Sequence, residues 1–353
     1  MRDGGLYDTD SWVAGYLKET DWKVRENSNV AYSFSGLFLR MGGNVIENYV
    51  LDKVYTRQIS KAHRNGDIHI HNLPFGLVGY CAGWSLRQLL LEGFNGVPGR
   101  VESKPAKHFD TALMQIVNFL GTLQNEWAGA MAMNSLDTFL APFIANDRLS
   151  YKRLKQDIQK FIYNLNVTSR WGGQTLFTNV TLDINTPKDL SREPVIIGGA
   201  AQRDTYADFK EEANMFNKAF LEILLDGDMS GRPFSFPIPT YNITGDFDWD
   251  SEVAGLLFKV TAKYGLPYFS NFVNSGLSPE DIRSMCCHLR LDLRELKRNV
   301  TGGLFGSGEM TGSVGVVTIN MPRIGYLSKD ESMFYERLDR PVSYTHLTLP
   351  TKA

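Results

Sequence analysis

Apolar residues between Tyr32 and Tyr55 recur at helical spacing, as Leu37, Met41, Val45 and Val50, and this predicts a long amphipathic helix that runs out into the polar stretch 61–65. The next segment, Gly66 to Pro74, alternates strictly and predicts a short strand with Asp67, His69 and His71 on one face. From His108 to Leu123 the positions Phe109, Leu113, Ile116, Val117 and Leu120 predict another helix, which the pattern continues through Trp127 towards Phe143. A charged helical piece spans Tyr151 to Asn164, a Gly172-Gly173 turn leads into a β-branched run ending at Asp183, and an amphipathic helix follows from Tyr206 to Asp226. The proline-studded stretch from Pro233 to Tyr241 reads as extended. Ser278-Pro279 has the form of a helix start, and Gly312 to Asn320 that of one buried strand entered through glycine. Alternation of this kind predicts an α/β fold, a closed barrel with functional loops at strand ends.

Composition narrows the class. The chain has 353 residues, 43% hydrophobic and 22% charged, so it is globular and long enough for one large domain or two. A net charge of -2 offers no general attraction to nucleic acid or an anionic membrane, so a polyanionic ligand must be met by local groups. No apolar run is long enough to span a bilayer, and the first residues lack the apolar stretch of a secretory signal. Three cysteines are too few for a disulfide scaffold and point to a reducing cytoplasm.

Those cysteines are Cys81 and the adjacent pair Cys286-Cys287, and neighbouring cysteines bridge each other only through a distorted peptide. Taken alone, each is a small buried hydrophobe. His69 and His71 with Asp67 are too few for a metal site, and hydrogen-bonded histidines shaping the floor of a site suit them better; no metal is expected on this chain. Phosphate groups need backbone amides or cations, for which the turn Trp171-Gly172-Gly173-Gln174-Thr175 beside Arg170, and the stretch Pro239-Thr240-Tyr241-Asn242, are candidates.

Several stretches in one order, namely 66–71, Gln124-Asn125-Glu126-Trp127-Ala128-Gly129-Ala130, 171–183, 236–242, Met285-Cys286-Cys287-His288-Leu289-Arg290-Leu291-Asp292 and 312–322, resemble the catalytic subunit of anaerobic (class III) ribonucleoside-triphosphate reductase. The resemblance covers residues 26–327. It implies part of a ten-stranded α/β barrel of the glycyl-radical enzyme and ribonucleotide reductase type, incomplete at its C-terminal end. It also implies reduction of ribonucleoside triphosphates to deoxyribonucleoside triphosphates for DNA synthesis and repair. In that chemistry a radical on a glycine generates a cysteine thiyl, which takes the 3′ hydrogen of the ribose and opens the way to loss of the 2′ hydroxyl.

Carried onto this sequence, the thiyl falls on Cys287, because the preceding position, here Cys286, is a glycine in many relatives. Cys81 matches the second active-site cysteine, which faces the first across the substrate and takes part in reduction. Asn320 is expected to orient substrate or a small reductant, while His69, His71, Gly173, Gln174, Thr240 and Tyr241 are expected to contact substrate. The family binds a dNTP effector near a helical dimer interface, and the matching region, 101–147, offers Glu102, Lys104 and Gln115.

The same resemblance implies a homodimer, ATP and dNTP effectors, formate or a thiol as reductant, and a radical S-adenosylmethionine iron–sulfur activase. The zinc site and the radical glycine of the family belong to a C-terminal segment that this sequence does not contain, so the chain alone is expected to be inactive. Residues 1–25 are too few for the ATP-binding cone of relatives and read as a remnant, 26–340 as the partial catalytic domain. The last stretch, 341–353, looks like an out-of-frame translation of a sequencing adapter and is set apart from the fold. Two other readings remain. One is a nucleotide-binding regulatory module without catalysis. The other is a cysteine hydrolase, which is disfavoured because His288, next to Cys287, points away from it.

Overall fold

The computed structural model describes residues 9–19, 32–95, 99, 101–273, 275–276, 282–284, 290–292 and 311–345. Its helices are α1 (Thr9–Leu17), α2 (Phe34–Tyr49), α3 (Arg57–Arg64), α4 (Leu86–Glu92), α5 (Phe109–Leu123), α6 (Leu136–Asn146), α7 (Tyr151–Leu165), α8 (Lys188–Ser191), α9 (Lys210–Asp226), α10 (Glu252–Tyr264), α11 (Met321–Leu327) and α12 (Glu331–Thr345). Its strands are β1 (Ile68–Ile70), β2 (Cys81–Trp84), β3 (Met131–Met133), β4 (Thr168–Arg170), β5 (Gln174–Thr175), β6 (Thr178–Leu182), β7 (Pro194–Ile197), β8 (Ala200–Thr205), β9 (Ile238–Ile243), β10 (Tyr268–Asn271), β11 (Ile282–Ser284), β12 (Arg290–Asp292), β13 (Thr311–Ser313) and β14 (Val317–Ile319).

Six strands form the central sheet in the order β10-β9-β6-β3-β2-β13. From β2 to β10 the order follows the sequence and every pair is parallel, with helices in each connection, so successive strand–helix units step one way around a curled half-barrel. Strand β13 closes the β2 edge antiparallel, with Ser313 opposite Cys81.

Strand alternation sorts the two faces of this sheet. Met131, Met133, Val180, Leu182, Tyr241 and Ile243 face the helices and join Phe139, Phe143, Phe161, Phe216 and Phe220 in the main core. The register leaves Cys81, Gly83, Ala132, Asn179, Thr181, Thr240 and Ser270 on the opposite, concave face, with Ile238 and Tyr268 beside them. Apart from those two, these residues are small or polar and buried, which is unlike the apolar packing of the helix-facing side.

Most predicted elements are present, and two differ among the described residues. The helix from His108 stops at Leu123, because Met131-Ala132-Met133 is a fully buried strand, and a new helix starts only at Leu136. An apolar run carries no signal that separates a buried strand from a buried helix. The stretch from Gly312 to Asn320 splits into β13 and β14, which pair with β2 and β1 respectively. The helix start predicted at Ser278-Pro279 lies outside the described residues, as does the stretch that holds Cys286 and Cys287; β11 pairs antiparallel with β12 on either side of that stretch. Among the described residues no helix is long and apolar enough to cross a membrane.

Candidate active site

Cys81 opens β2 on the concave face and is 1% exposed. Its sulfur accepts a hydrogen bond from the backbone N–H of Ala130 at 3.2 Å, and its own N–H donates to Ser313 Oγ at 3.2 Å. The loop from Trp127 to Ala130 wraps the thiol closely. Ala128 N–H donates to Gly79 O and Gly129 N–H to Tyr80 O, while Gln124 Nε2 donates to Gly129 O at 2.8 Å. A side chain at Gly129 has no room, since a Cβ there would lie 2.6 Å from Cys81 Sγ and 2.8 Å from Tyr80 O.

Arg170, the last residue of β4, reaches beneath this loop and is 6% exposed. Its Nη2 donates to Trp127 O at 3.1 Å and to Ala128 O, and its Nη1 donates to Gln174 Oε1 at 2.7 Å. The rings of Phe75 and Phe177 flank the guanidinium, with centroids 5.8 and 6.0 Å away. Burial lowers its pKa to about 10, against the opposing pull of Cys81 and Tyr80 in their anionic forms. The Trp171-Gly172-Gly173 turn that brings Gln174 back to Arg170 needs both glycines in the left-handed region, at φ 66° and 75°. Arg170, Gly173 and Gln174 therefore form one unit with Cys81.

Thr240, on β9, accepts from Asn179 Nδ2 at 3.2 Å across the concave face. Tyr241 points the other way, buried among the helices, with its hydroxyl donating to Asn217 Oδ1 at 3.0 Å. Towards the C-terminal ends of the strands lies a buried carboxylate pair that composition and motif reading passed over. Asp137 accepts from the N–H groups of Asp183 and Ile184 and from Asn217 Nδ2; Asp183 accepts from Thr138 Oγ1 at 2.9 Å and Asn242 Nδ2 at 2.7 Å. Burial first, and then the neighbouring Asp137, pushes Asp183 up to about 7. Its trace in the sequence is the alternation Asn179, Thr181, Asp183 within an otherwise apolar strand.

The remaining expected residues sit in two other places. On the β1–β14 pair, His71 Nε2 meets Thr318 Oγ1 at 2.7 Å, the His69 and His71 rings lie 4.6 Å apart, and burial together with His69 lowers the pKa of His71. Asn320 ends β14 and caps α11: its Oδ1 accepts from Arg323 N–H at 3.1 Å and its Nδ2 donates to Gly66 O at 2.8 Å. At the entry to α5, Gln115 Nε2 donates to Ser103 Oγ and to Lys104 O, and Glu102 is exposed. Among the described residues no three His, Cys, Asp or Glu side chains come together to hold a metal ion.

The model of the anaerobic ribonucleoside-triphosphate reductase family matches residues 26–353. Anaerobic ribonucleoside-triphosphate reductases from Salmonella typhimurium and Escherichia coli are each 24% identical, over 340 and 339 residues, covering 88% of this chain and 44% of theirs. The chain thus spans less than half the length of these curated relatives. Two solved structures of the Thermotoga maritima anaerobic ribonucleotide reductase, one in complex with dATP and CTP and one with dATP in its specificity site, superpose with TM-scores of 0.66 and 0.67. Each is 19% identical, covering 94% of this chain and 55% and 56% of theirs. That likeness shows the fold, and it agrees with the half-barrel seen here. On the family match, the chain belongs to the anaerobic ribonucleoside-triphosphate reductases.

Proposed function

We propose that this chain is the part of a ribonucleoside-triphosphate reductase that carries the two working thiols, Cys81 and Cys287, and that the parent protein makes deoxyribonucleoside triphosphates. The observation that carries the reading is the position of Cys81, the residue the resemblance matches to the reducing cysteine: a buried thiol on the concave face, gripped by an N–H donor.

With a glycyl radical in the parent to accept the hydrogen atom of its thiol, Cys287 would become a thiyl radical. Cys287 then takes the hydrogen atom from C3′ of the ribose, so that an S–H bond forms as the C–H bond breaks. The 2′ hydroxyl leaves with a proton as water, and Cys81 gives a hydrogen atom to C2′ and is left as a sulfur radical. Formate or a thiol is oxidised by two electrons to restore Cys81 and reduce C3′, and Cys287 returns its hydrogen to C3′. Holding the ribose between two thiols is a positional contribution, worth several powers of ten when reacting atoms are aligned. Burial keeps water away from a site where carbon and sulfur radicals form. Thr240 and Asn179 offer hydroxyl and amide groups on the same face for ribose hydroxyls, and the Gly173-Gln174 turn offers glycine-rich backbone for phosphate. A dNTP effector would bind near Glu102, Lys104 and Gln115, at a homodimer interface. The reductant is formate or a thiol, and the activase is of the radical S-adenosylmethionine type.

The test is anaerobic turnover of the parent enzyme after activation. Wild-type protein is expected to form deoxynucleotide from ribonucleoside triphosphate only in the absence of oxygen, and Cys287→Ala to form none while still binding nucleotide. Undiminished product from Cys287→Ala would overturn the reading, and nucleotide binding without any turnover would favour a regulatory module.

A further inference from the structure

Arg170 presents an unusual charge arrangement. A buried guanidinium is costly to desolvate and normally sits against a carboxylate. Here its hydrogen-bond partners are the carbonyls of Trp127 and Ala128 and the side-chain oxygen of Gln174, all neutral, and its Nε is buried without a partner. The groups able to become anionic that bear on it are Cys81 and Tyr80, at the start of β2. Among the described residues the rings of Phe75 and Phe177 and the Trp127–Gly129 loop that also border it do not titrate, and Ser313 on β13 is neutral.

We propose that Arg170 is a positioning residue for Cys81, holding the loop that donates Ala130 N–H to the sulfur and supplying the uncompensated positive charge that favours the thiolate.

Two links carry this. The first is mechanical: Nη2 binds the carbonyls of Trp127 and Ala128, and two residues further on the same loop delivers its N–H to the sulfur at 3.2 Å. Gly129 transmits the placement because the loop touches the thiol with no side chain between them. The second is electrostatic. A cation in a buried setting acts on a nearby thiol far more strongly than it would in water, and both the cation and a hydrogen bond to sulfur favour the charged form. The hydrogen transfer itself uses the protonated thiol; the cation and the N–H donor serve the return step, because reduction of the spent sulfur by a thiol passes through sulfur anions. Gln174, rather than a glutamate, keeps the charge of Arg170 unspent.

The inference rests on Cys81 as a reacting thiol, yet its test does not depend on nucleotide reduction. The Cβ chemical shift of isotope-labelled Cys81 is followed against pH in this chain, with Cys286→Ser and Cys287→Ser used to assign the signal. Arg170→Met is expected to raise the titration midpoint by about one pH unit or more, and Arg170→Lys to restore most of the shift. Gln174→Glu, which keeps the shape and gives Arg170 a carboxylate, is expected to raise the midpoint in the same direction and covers the case in which Arg170→Met does not fold. An unchanged midpoint in Gln174→Glu, or in folded Arg170→Met, overturns the proposal. A shifted midpoint in a parent enzyme whose Cys81 variant still reduces nucleotides would instead sink the functional reading and leave this inference standing.

Discussion

The backbone N–H of Asp183 donates to both carboxylate oxygens of Asp137, at 2.9 and 3.1 Å, which joins the end of β6 to the start of α6 inside the core. The flanking residues Ile184 and Ser135 take left-handed backbone conformations, at φ 60° and 57°, to make this junction, and a β-branched residue such as Ile184 does so at a cost. Asn217 from α9 and Asn242 from β9 complete the cluster, so four elements are fastened at the C-terminal ends of the parallel strands, where α/β sheets place their sites.

A pH dependence follows. Both carboxyls are raised by burial, Asp183 to about 7, so the folded protein holds a proton there that the unfolded chain, with carboxylates near about 4, has already released. Their contribution to stability is fully present below about pH 4 and is lost as pH rises through about 7. Denaturation in urea is therefore expected at a lower midpoint at pH 8 than at pH 6, and Asp183→Asn is expected to flatten that difference. An equal slope in wild type and variant would show that the proton sits elsewhere.

Gly129→Ala places a methyl group against Cys81 Sγ and Tyr80 O, and the second of these is backbone that cannot swing aside. A loss of about 1–3 kcal/mol of stability is expected, in the range of overpacked sites. The Cys81 Cβ resonance is expected to move with it, because the sulfur is what yields. Gly255, with open space around its Cβ position, serves as the control, and Gly255→Ala is expected to leave that resonance in place.

Phe109 and Phe216, both fully buried, meet edge to face with centroids 6.3 Å apart between α5 and α9. Truncation of Phe216 to alanine is expected to cost about 3–5 kcal/mol, as the helix layer cannot collapse into the space left. Chemical denaturation measures this directly.

Asn320 tests a division between structure and chemistry. As the N-cap of α11 with a second bond to Gly66 O, it is expected to contribute about 1–2 kcal/mol, so Asn320→Ala destabilises and Asn320→Ser recovers the cap. If the parent enzyme loses turnover in Asn320→Ser with stability restored, Asn320 acts on substrate as well.

Much of the architecture was legible where one period dominates a stretch: α5, α7 and α9 from their apolar spacing, β1 from its alternation, and the turn at Gly172-Gly173 from its glycines. Strand β3 was not, since Ala130-Met131-Ala132-Met133 is a short apolar run whose residues suit a buried helix as well as a buried strand. Cys81, Arg170 and the Gly173-Gln174 turn could each be named as candidates, but their convergence depends on the strand register that sets β4 and β5 beneath the Trp127 loop. The Asp137–Asp183 pair lay hidden because its members are 46 residues apart and meet only through adjacent parallel strands. Tyr241 and Thr240 look equivalent in sequence and part company on opposite faces of β9, a consequence of the two-residue repeat.

In the proposed reaction Cys81 reduces a sugar whose 3′ hydrogen is taken by Cys287. Anaerobic incubation of activated parent enzyme carrying Cys81→Ser with a ribonucleoside triphosphate labelled at the 3′ hydrogen separates the two roles. Label is expected still to escape from the sugar while no deoxynucleotide forms, the two thiols having separate tasks. Deoxynucleotide formation at the wild-type rate would contradict it and return Cys81 to an ordinary packing residue.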